Sequence, residues 1–360
     1  MDVMIVAGIT AYIAIGASLS AWILHAAYRR KPAEPGSDPR AALRRRTGLT
    51  CLALSVVLTL SARYAILNGG VYGVAVFAGT PFTGGLAATL LLGREAEARL
   101  WTALKATYLV AYLTGTLFLL MGVDGLMCVV FAFPPAAFMA GLGALAGVAL
   151  LRFGLGLRGS RAVSALSFPV LWALLALDAS HEAEVDLRAV STELEIRGDA
   201  RAVWDNVVAF PPIDTPLTPL FRLGIAHPLS AHIEGEGVGA VRTCRFDTGD
   251  FVEPITVWEP ERRLAFDVTD QPLPLTETSP YPDLDVPHLH DSFASERGEF
   301  LLTPTGEGTV ILRGTTWYRQ HLWPHAYWDL VSDQIVHRIH LRVLEHIRTC
   351  VEGSAPESTH

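Results

Sequence analysis

The sequence predicts a membrane part followed by a water-soluble part. The first is a multi-pass α-helical membrane domain of about six spans over residues 1–180. The second is an α+β domain over residues 181–353, an antiparallel sheet closed by a long C-terminal helix, with a disordered tail at 354–360. Three observations predict this division. Residues 1–180 carry 14 Lys+Arg against 7 Asp+Glu, whereas residues 181–360 carry 14 against 29, so the halves have net charges of +7 and −15. The mean hydropathy of +0.34 is high for a soluble protein, and the apolar excess lies in the first half. The second half instead alternates apolar and polar residues between regular turn signals.

The membrane elements follow in order. Residues 3–28 are uncharged and long enough to cross a hydrocarbon core. Asp2 precedes this run and Arg29, Arg30 and Lys31 follow it, which reads as a retained anchor with its N-terminus outside. Residues 28–48, with Arg40, Arg44, Arg45 and Arg46, read as a cytoplasmic loop. Further spans are expected at 49–67, 71–92, 106–121, 126–151 and 163–177. Asn68-Gly69-Gly70 and Gly122-Val123-Asp124-Gly125 contain no basic residue, while the loops at 93–105 and 152–161 each hold three. All the basic loops fall on one side of a six-span path, so the C-terminal domain is expected outside the cytoplasm. The span at 163–177 is short and contains Pro169, and Arg63 lies inside another. Arg63 reads either as snorkelling to the headgroups or as meeting a buried partner such as Asp124. Pro81 with Gly84-Gly85, and Pro134-Pro135 with Gly141, mark closely packed or kinked helices.

In the soluble half, residues 190–197 alternate as a strand, with Val190, Thr192, Leu194 and Ile196 on one face. Gly198 breaks it, and Asp199 caps a helix whose stripe is Val203, Trp204, Val207 and Val208. Pro211-Pro212 ends that helix, and a second short one is expected within 216–225. Strands are expected at 232–236, 240–246, 251–258, 263–269, 298–303 and 309–318, and a helix over about 325–351.

This order resembles the START-like superfamily, also called SRPBCC, which includes polyketide cyclases, lipid-transfer domains and the birch-pollen allergen. The resemblance rests on Glu195-Ile196-Arg197-Gly198-Asp199-Ala200 with Val203-Trp204, and on the pair Ile255-Thr256-Val257-Trp258-Glu259-Pro260 and Arg262-Arg263-Leu264-Ala265-Phe266-Asp267-Val268. Gly314-Thr315-Thr316-Trp317-Tyr318 before the final helix completes it. It covers residues 188–351, about half of the chain. It implies a helix-grip domain in which a curved antiparallel sheet holds the last helix and leaves a cavity for an apolar ligand.

At about 100° per residue, Arg338, Arg342, Glu345 and Glu352 mark the solvent side of the last helix. Ser332, Val336, Ile339, His340, Val343 and Ile347 point the other way, with Asp329 and Asp333 roughly inward and His337 on the flank. Asp333, His337 and His340 are therefore candidate acid/base groups; the same residues also fit an Asp333–His337 pair that only stabilises the helix. Candidate ligand contacts are Glu253, Trp317, Tyr318, Asp329, Asp333, Val336, His340 and Val343. His288 and His290 make a poor metal signature and read as a solvated loop, within a flap over 272–293. No metal or cofactor is expected. Cys51 and Cys128 read as small buried hydrophobes, and export would let Cys244 and Cys350 pair if their geometry allows.

The second half lacks a basic cluster, which excludes nucleic acid as a partner there. The expected partners are the lipid bilayer and an apolar small molecule, at a plasma membrane with the C-terminal domain outside. Only two lysines occur, and the Arg-rich composition fits a GC-rich bacterial genome. The leading function is a membrane-anchored START-like domain that binds a lipid or other apolar molecule. The alternatives are a cyclase- or dehydratase-type enzyme using the inward His and Asp, and a membrane assembly or sensing protein.

Overall fold

Apolar runs satisfy their own backbone as helices, and the described residues of the first half form such helices joined by short turns. The computed structural model describes residues 39–69, 72–93, 100–154, 156–178, 185–281, 284, 286–306 and 308–353. The expected span at 3–28 lies outside them. The chain divides into two units, Met1–Ala183 with Glu277–Val286, and Glu184–Thr276 with Pro287–His360.

In the first unit, α1 is Pro39–Gly69, a π-helical turn at Ala75–Gly79 leads into α2 at Thr80–Leu92, and α3 is Leu100–Leu120. Helices α4 at Leu126–Arg152 and α5 at Leu157–Asp178 follow. Among the described residues, five stretches are long and apolar enough to cross a membrane: Arg45–Leu67, Ala75–Leu92, Leu100–Leu120, Leu126–Arg152 and Arg158–Asp178. The helices overrun the expected spans. Helix α1 already runs through residues 39–48, α3 takes in Lys105, and α5 is a helix of 22 residues that contains Pro169. Hydropathy marks only the apolar part of each, and Arg and Lys are good helix formers that extend its ends.

Helix α2 is the most enclosed of the five. Its backbone meets that of α4 directly: a Cβ on Gly85 would overlap the Ala140 carbonyl, and one on Gly143 would overlap that of Phe82. Glycine is required for an approach this close. Arg63 Nη1 donates to the Met121 carbonyl at 2.6 Å, just beyond the end of α3. The Asp178 carboxylate accepts from the Ala75 amide at 2.6 Å and so caps the π-helical turn.

Glu277–Val286 belongs to this unit although it falls between two strands of the other. The two carboxylate oxygens of Glu277 accept from the Met127 and Cys128 amides at 2.9 and 2.8 Å, capping α4 at its positive end. The Leu126 amide donates to Thr278 O at 2.9 Å, and the Tyr281 hydroxyl donates to Leu120 O at 2.5 Å. The expected flap over 272–293 is therefore divided. Its first residues pair in the second unit, where the Thr276 amide donates to Gly224 O, and its middle caps a helix of the first.

The second unit is a seven-stranded antiparallel sheet in the order β1-β7-β6-β5-β4-β3-β2. Strand β1 is Arg188–Arg197, followed by α6 at Ala200–Val208 and the short α7 at Pro219–Arg222. Then come β2 at Pro228–Glu234, β3 at Val241–Phe246, β4 at Gly249–Glu259 and β5 at Arg263–Asp267. The short α8 at His288–Asp291, β6 at Phe293–Pro304, β7 at Thr309–Gln320 and α9 at His325–Gly353 complete it. Asp199 caps α6 as expected, accepting from the Ala202 amide at 2.7 Å. Register shifts at Pro228/Ser230, Ile255/Val257 and Ser295/Arg297 bend the strands, and the curved sheet embraces α9. The core lies between sheet, α6 and α9, with Ile196, Val203, Leu264, Leu312, Leu344 and Ile347 sealed within it.

Candidate functional site

Antiparallel register decides what the final helix meets. Arg188, Val190 and Thr192 on β1 lie opposite Tyr318, Thr316 and Gly314 on β7, so these residues share the face turned to α9. Gly314 has no side chain to fill that face, and Leu344 of α9 and Phe300 approach it instead.

One turn of α9 meets the sheet through charges. Arg188 Nη2 donates to Asp333 Oδ2 at 2.7 Å, and its Nη1 lies 3.2 Å from Asp329 Oδ2. The Tyr318 hydroxyl, fully buried, donates to the other oxygen of Asp333 at 2.7 Å. Burial, and then this bond to Asp333, pushes the phenol above its usual range. The hydrogen bond to Asp333 likewise raises the pKa of Arg188. Asp333 is thus engaged by Arg188 and Tyr318, and it does not orient His337.

The next turn meets the sheet through imidazoles and hydroxyls. His337 Nδ1 lies 2.8 Å from Thr192 Oγ1, and His340 Nδ1 lies 3.1 Å from the same oxygen. His340 Nε2 lies 2.8 Å from Thr316 Oγ1. Burial, and then neighbouring His337, lowers the His340 pKa to about 4, so this imidazole is neutral at pH 7. His340 and Thr316 are each partly buried.

Farther along, α9 presents Val336 and Val343, both buried, and Ile339, partly open. Phe251, Phe300 and Leu194 on the sheet are partly open as well, while Phe266 is sealed. A Cβ on Gly298 would overlap the Phe266 ring, which lies across that glycine beside Thr316.

Glu253 faces the interior and forms a buried ion pair with Arg242, which is 2% exposed. The guanidinium lies over the rings of Phe210, Phe266 and Phe300 at 5.6–5.7 Å, and its Nε donates to Val208 O at 3.2 Å. Burial pushes the Glu253 carboxyl upward, with Arg242 pulling the other way. Burial opposes the guanidinium charge most strongly, but Glu253 and Cys244 together raise the Arg242 pKa, so it stays charged.

The structure therefore brings Tyr318, Asp329 and Asp333 together through Arg188, and His337 and His340 through Thr192. Val336 and Val343 pack beside them. Trp317 is on the opposite face of the sheet, under Arg297 at 4.6 Å, and does not join them. Trp328 and Tyr327 pack edge to face at 5.2 Å, with Trp328 Nε1 donating to Trp323 O. His290 is exposed, but His288 is buried at the start of α8, which corrects the solvated-loop expectation. Burial lowers its pKa to about 4. Arg342, expected to face solvent, is buried and donates to Pro228 O, Thr215 O and Ile213 O at 3.3–3.4 Å. Cys244 and Cys350 are not joined in a disulfide; Cys244 is buried, and Cys350 Sγ lies 3.6 Å from His346 Nε2. Sequence reasoning missed Arg188, Thr192, Thr316 and Arg242 as site residues. Arg242 shares the strand parity of Cys244 and Phe246, which is the signal that finds it.

No family profile and no curated protein matches the sequence. Among solved structures, norcoclaurine synthase from Thalictrum flavum, in complex with dopamine and hydroxybenzaldehyde, is 15% identical; the match covers 48% of this chain and 91% of that one, with a TM-score of 0.31. The Zhui aromatase/cyclase from Streptomyces sp. R1128 is 15% identical, with 46% and 94% covered and a TM-score of 0.30. XoxI from Bacillus cereus is 14% identical, with 48% and 99% covered and a TM-score of 0.30. The strand order and the long final helix packed on the curved sheet give the C-terminal half a helix-grip fold.

Proposed function

We propose that this protein is a membrane-anchored START-like domain that takes up a lipid or another apolar small molecule between its sheet and its final helix, outside the cytoplasm of a bacterium. One observation carries the reading. Leu194, Phe251, Phe300 and Ile339 pack against the core between sheet and α9 while keeping part of their apolar surface accessible, and an apolar ligand would cover such surface. Five apolar helices among the described residues support the anchor, and the uncharged sequence of residues 3–28 is long enough for a further span. The basic flanks then favour an outer C-terminal domain. A sparingly soluble ligand is best collected at a bilayer surface.

The test is solvent extraction and mass spectrometry of the full chain purified in detergent. A stoichiometric apolar ligand is expected, and Ile339→Trp should cut its occupancy at least tenfold without unfolding the protein. A wild-type protein that carries and binds no apolar molecule overturns the reading. A second reading, an enzyme using acid/base groups of the last helix, is favoured by the neutral His340 imidazole held between Thr316 and Thr192. It predicts that His340→Gln abolishes turnover while leaving the extracted ligand in place.

A further inference from the structure

The imidazoles of α9 and the hydroxyls of the sheet form one continuous chain. It runs from Thr316 Oγ1 to His340 Nε2, across the ring to Nδ1, on to Thr192 Oγ1, and ends at His337 Nδ1, with separations of 2.8, 3.1 and 2.8 Å. Thr192 is the pivot: it is 2% exposed, and a hydroxyl has a single hydrogen to donate. If Thr192 donates to His337, His340 must carry its proton on Nδ1, and Thr316 donates to Nε2. If Thr192 donates to His340, His337 carries its proton on Nδ1, and His340 Nε2 donates to Thr316. Both arrangements satisfy every bond in the chain with both rings neutral. Passing from the first to the second moves a proton along each bond, takes one up at Thr316 Oγ1 and releases one from His337 Nε2.

We infer that Thr316, His340, Thr192 and His337 form a proton relay between the interior of the domain and the flank of its last helix, serving a ligand that carries a weakly acidic hydroxyl or a C–H beside a carbonyl. In one passage, the ligand's proton goes to Thr316 Oγ1 and the hydrogen of Thr316 goes to His340 Nε2. The Nδ1 hydrogen of His340 goes to Thr192 and that of Thr192 to His337 Nδ1, and His337 releases its Nε2 hydrogen to water. The ligand becomes an anion, water gains one proton, and all four protein groups end neutral. The direction reverses for protonation. His337 suits the outer end, since it lies on the helix flank beside exposed Arg338. The purpose of the relay rests on the ligand-binding reading, whereas its geometry does not.

Nitrogen-15 NMR of the full chain in detergent, labelled at histidine, tests it at pH 7. His340 is assigned by the loss of its signals in His340→Gln. In the wild type the Nδ1 and Nε2 resonances of His340 should each sit between the protonated and unprotonated positions, because the two tautomers exchange. Thr192→Val breaks the chain and should leave the proton on Nε2 alone. His337→Phe, which spares the buried strand, should give the same result, since Thr192 then donates permanently to His340. A single fixed tautomer in the wild type overturns the relay. Ligand extraction is read on the same samples: exchange without ligand sinks the binding reading and keeps the relay, and ligand without exchange does the reverse.

Discussion

Replacing Glu253 by Gln removes the one carboxylate paired with a guanidinium that is itself 2% exposed. The amide keeps the shape and can still accept a hydrogen bond, so the change isolates the charge. Breaking a buried pair from one side costs about 3–5 kcal/mol, because the remaining ion has no countercharge. The rings of Phe210, Phe266 and Phe300 flank Arg242 before and after the substitution, and the Gln carbonyl still accepts from it, so the remaining cation is not bare. A net cost near the lower end, about 3 kcal/mol, follows. For a domain of this size that lowers the melting temperature by about 6–12 °C. The assay is tryptophan fluorescence during thermal unfolding of the full chain, since Trp204 and Trp258 pack edge to face at 5.3 Å beside this core. The paired replacement Arg242→Met with Glu253→Leu should recover most of the loss, because it removes both desolvation costs. A Glu253→Gln loss below about 1 kcal/mol, or a double variant as unstable as the single one, refutes the reasoning.

Three further outcomes are expected. His340 and His288 have pKa values held down to about 4 from 6.5, so below pH 6.5 the unfolded chain binds more protons than the folded one. Stability should therefore be complete above about 6.5 and drain as the pH falls toward about 4; urea midpoints across that range check it, and His340→Gln should flatten the slope. Gly143→Leu should cost about 1–3 kcal/mol by forcing α4 off the Phe82 carbonyl, read as a lower melting temperature of the helical unit in detergent. Glu277→Ala should cost about 1 kcal/mol of cap and dipole stabilisation, and hydrogen exchange at the Met127 and Cys128 amides should accelerate.

Local rules carried much of this fold. Alternation at Val190, Thr192, Leu194 and Ile196 gave the inward face of β1, and helical spacing gave Val336 and Val343 on α9. Those patterns depend on neighbours a few residues away, so the sequence displays them. What they could not display is what wraps around an element from afar. Arg342 falls on the polar arc of α9 by periodicity, yet the carbonyls of Ile213, Thr215 and Pro228 close over it and supply the partners that water would have given. Trp317 looked like a ligand contact because aromatic residues crowd the start of α9. Its parity with Thr315 puts it on the other sheet face, where Arg297 lies directly across the strand pair. The partnership of Thr192 with two imidazoles joins residues about 145 positions apart, a separation at which pattern gives no register.

The backbone passes between the two units three times, because Glu277–Val286 returns to the helical one from inside a β-hairpin. Excision of the C-terminal half by a single cut near Ala183 would consequently separate residues that belong together. The released fragment would carry Glu277 and Tyr281 without the helix ends they bind, and the severed bundle would expose bare amides at Met127 and Cys128. Solubility or aggregation of such a fragment would then report on the orphaned stretch as much as on the sheet and its helix.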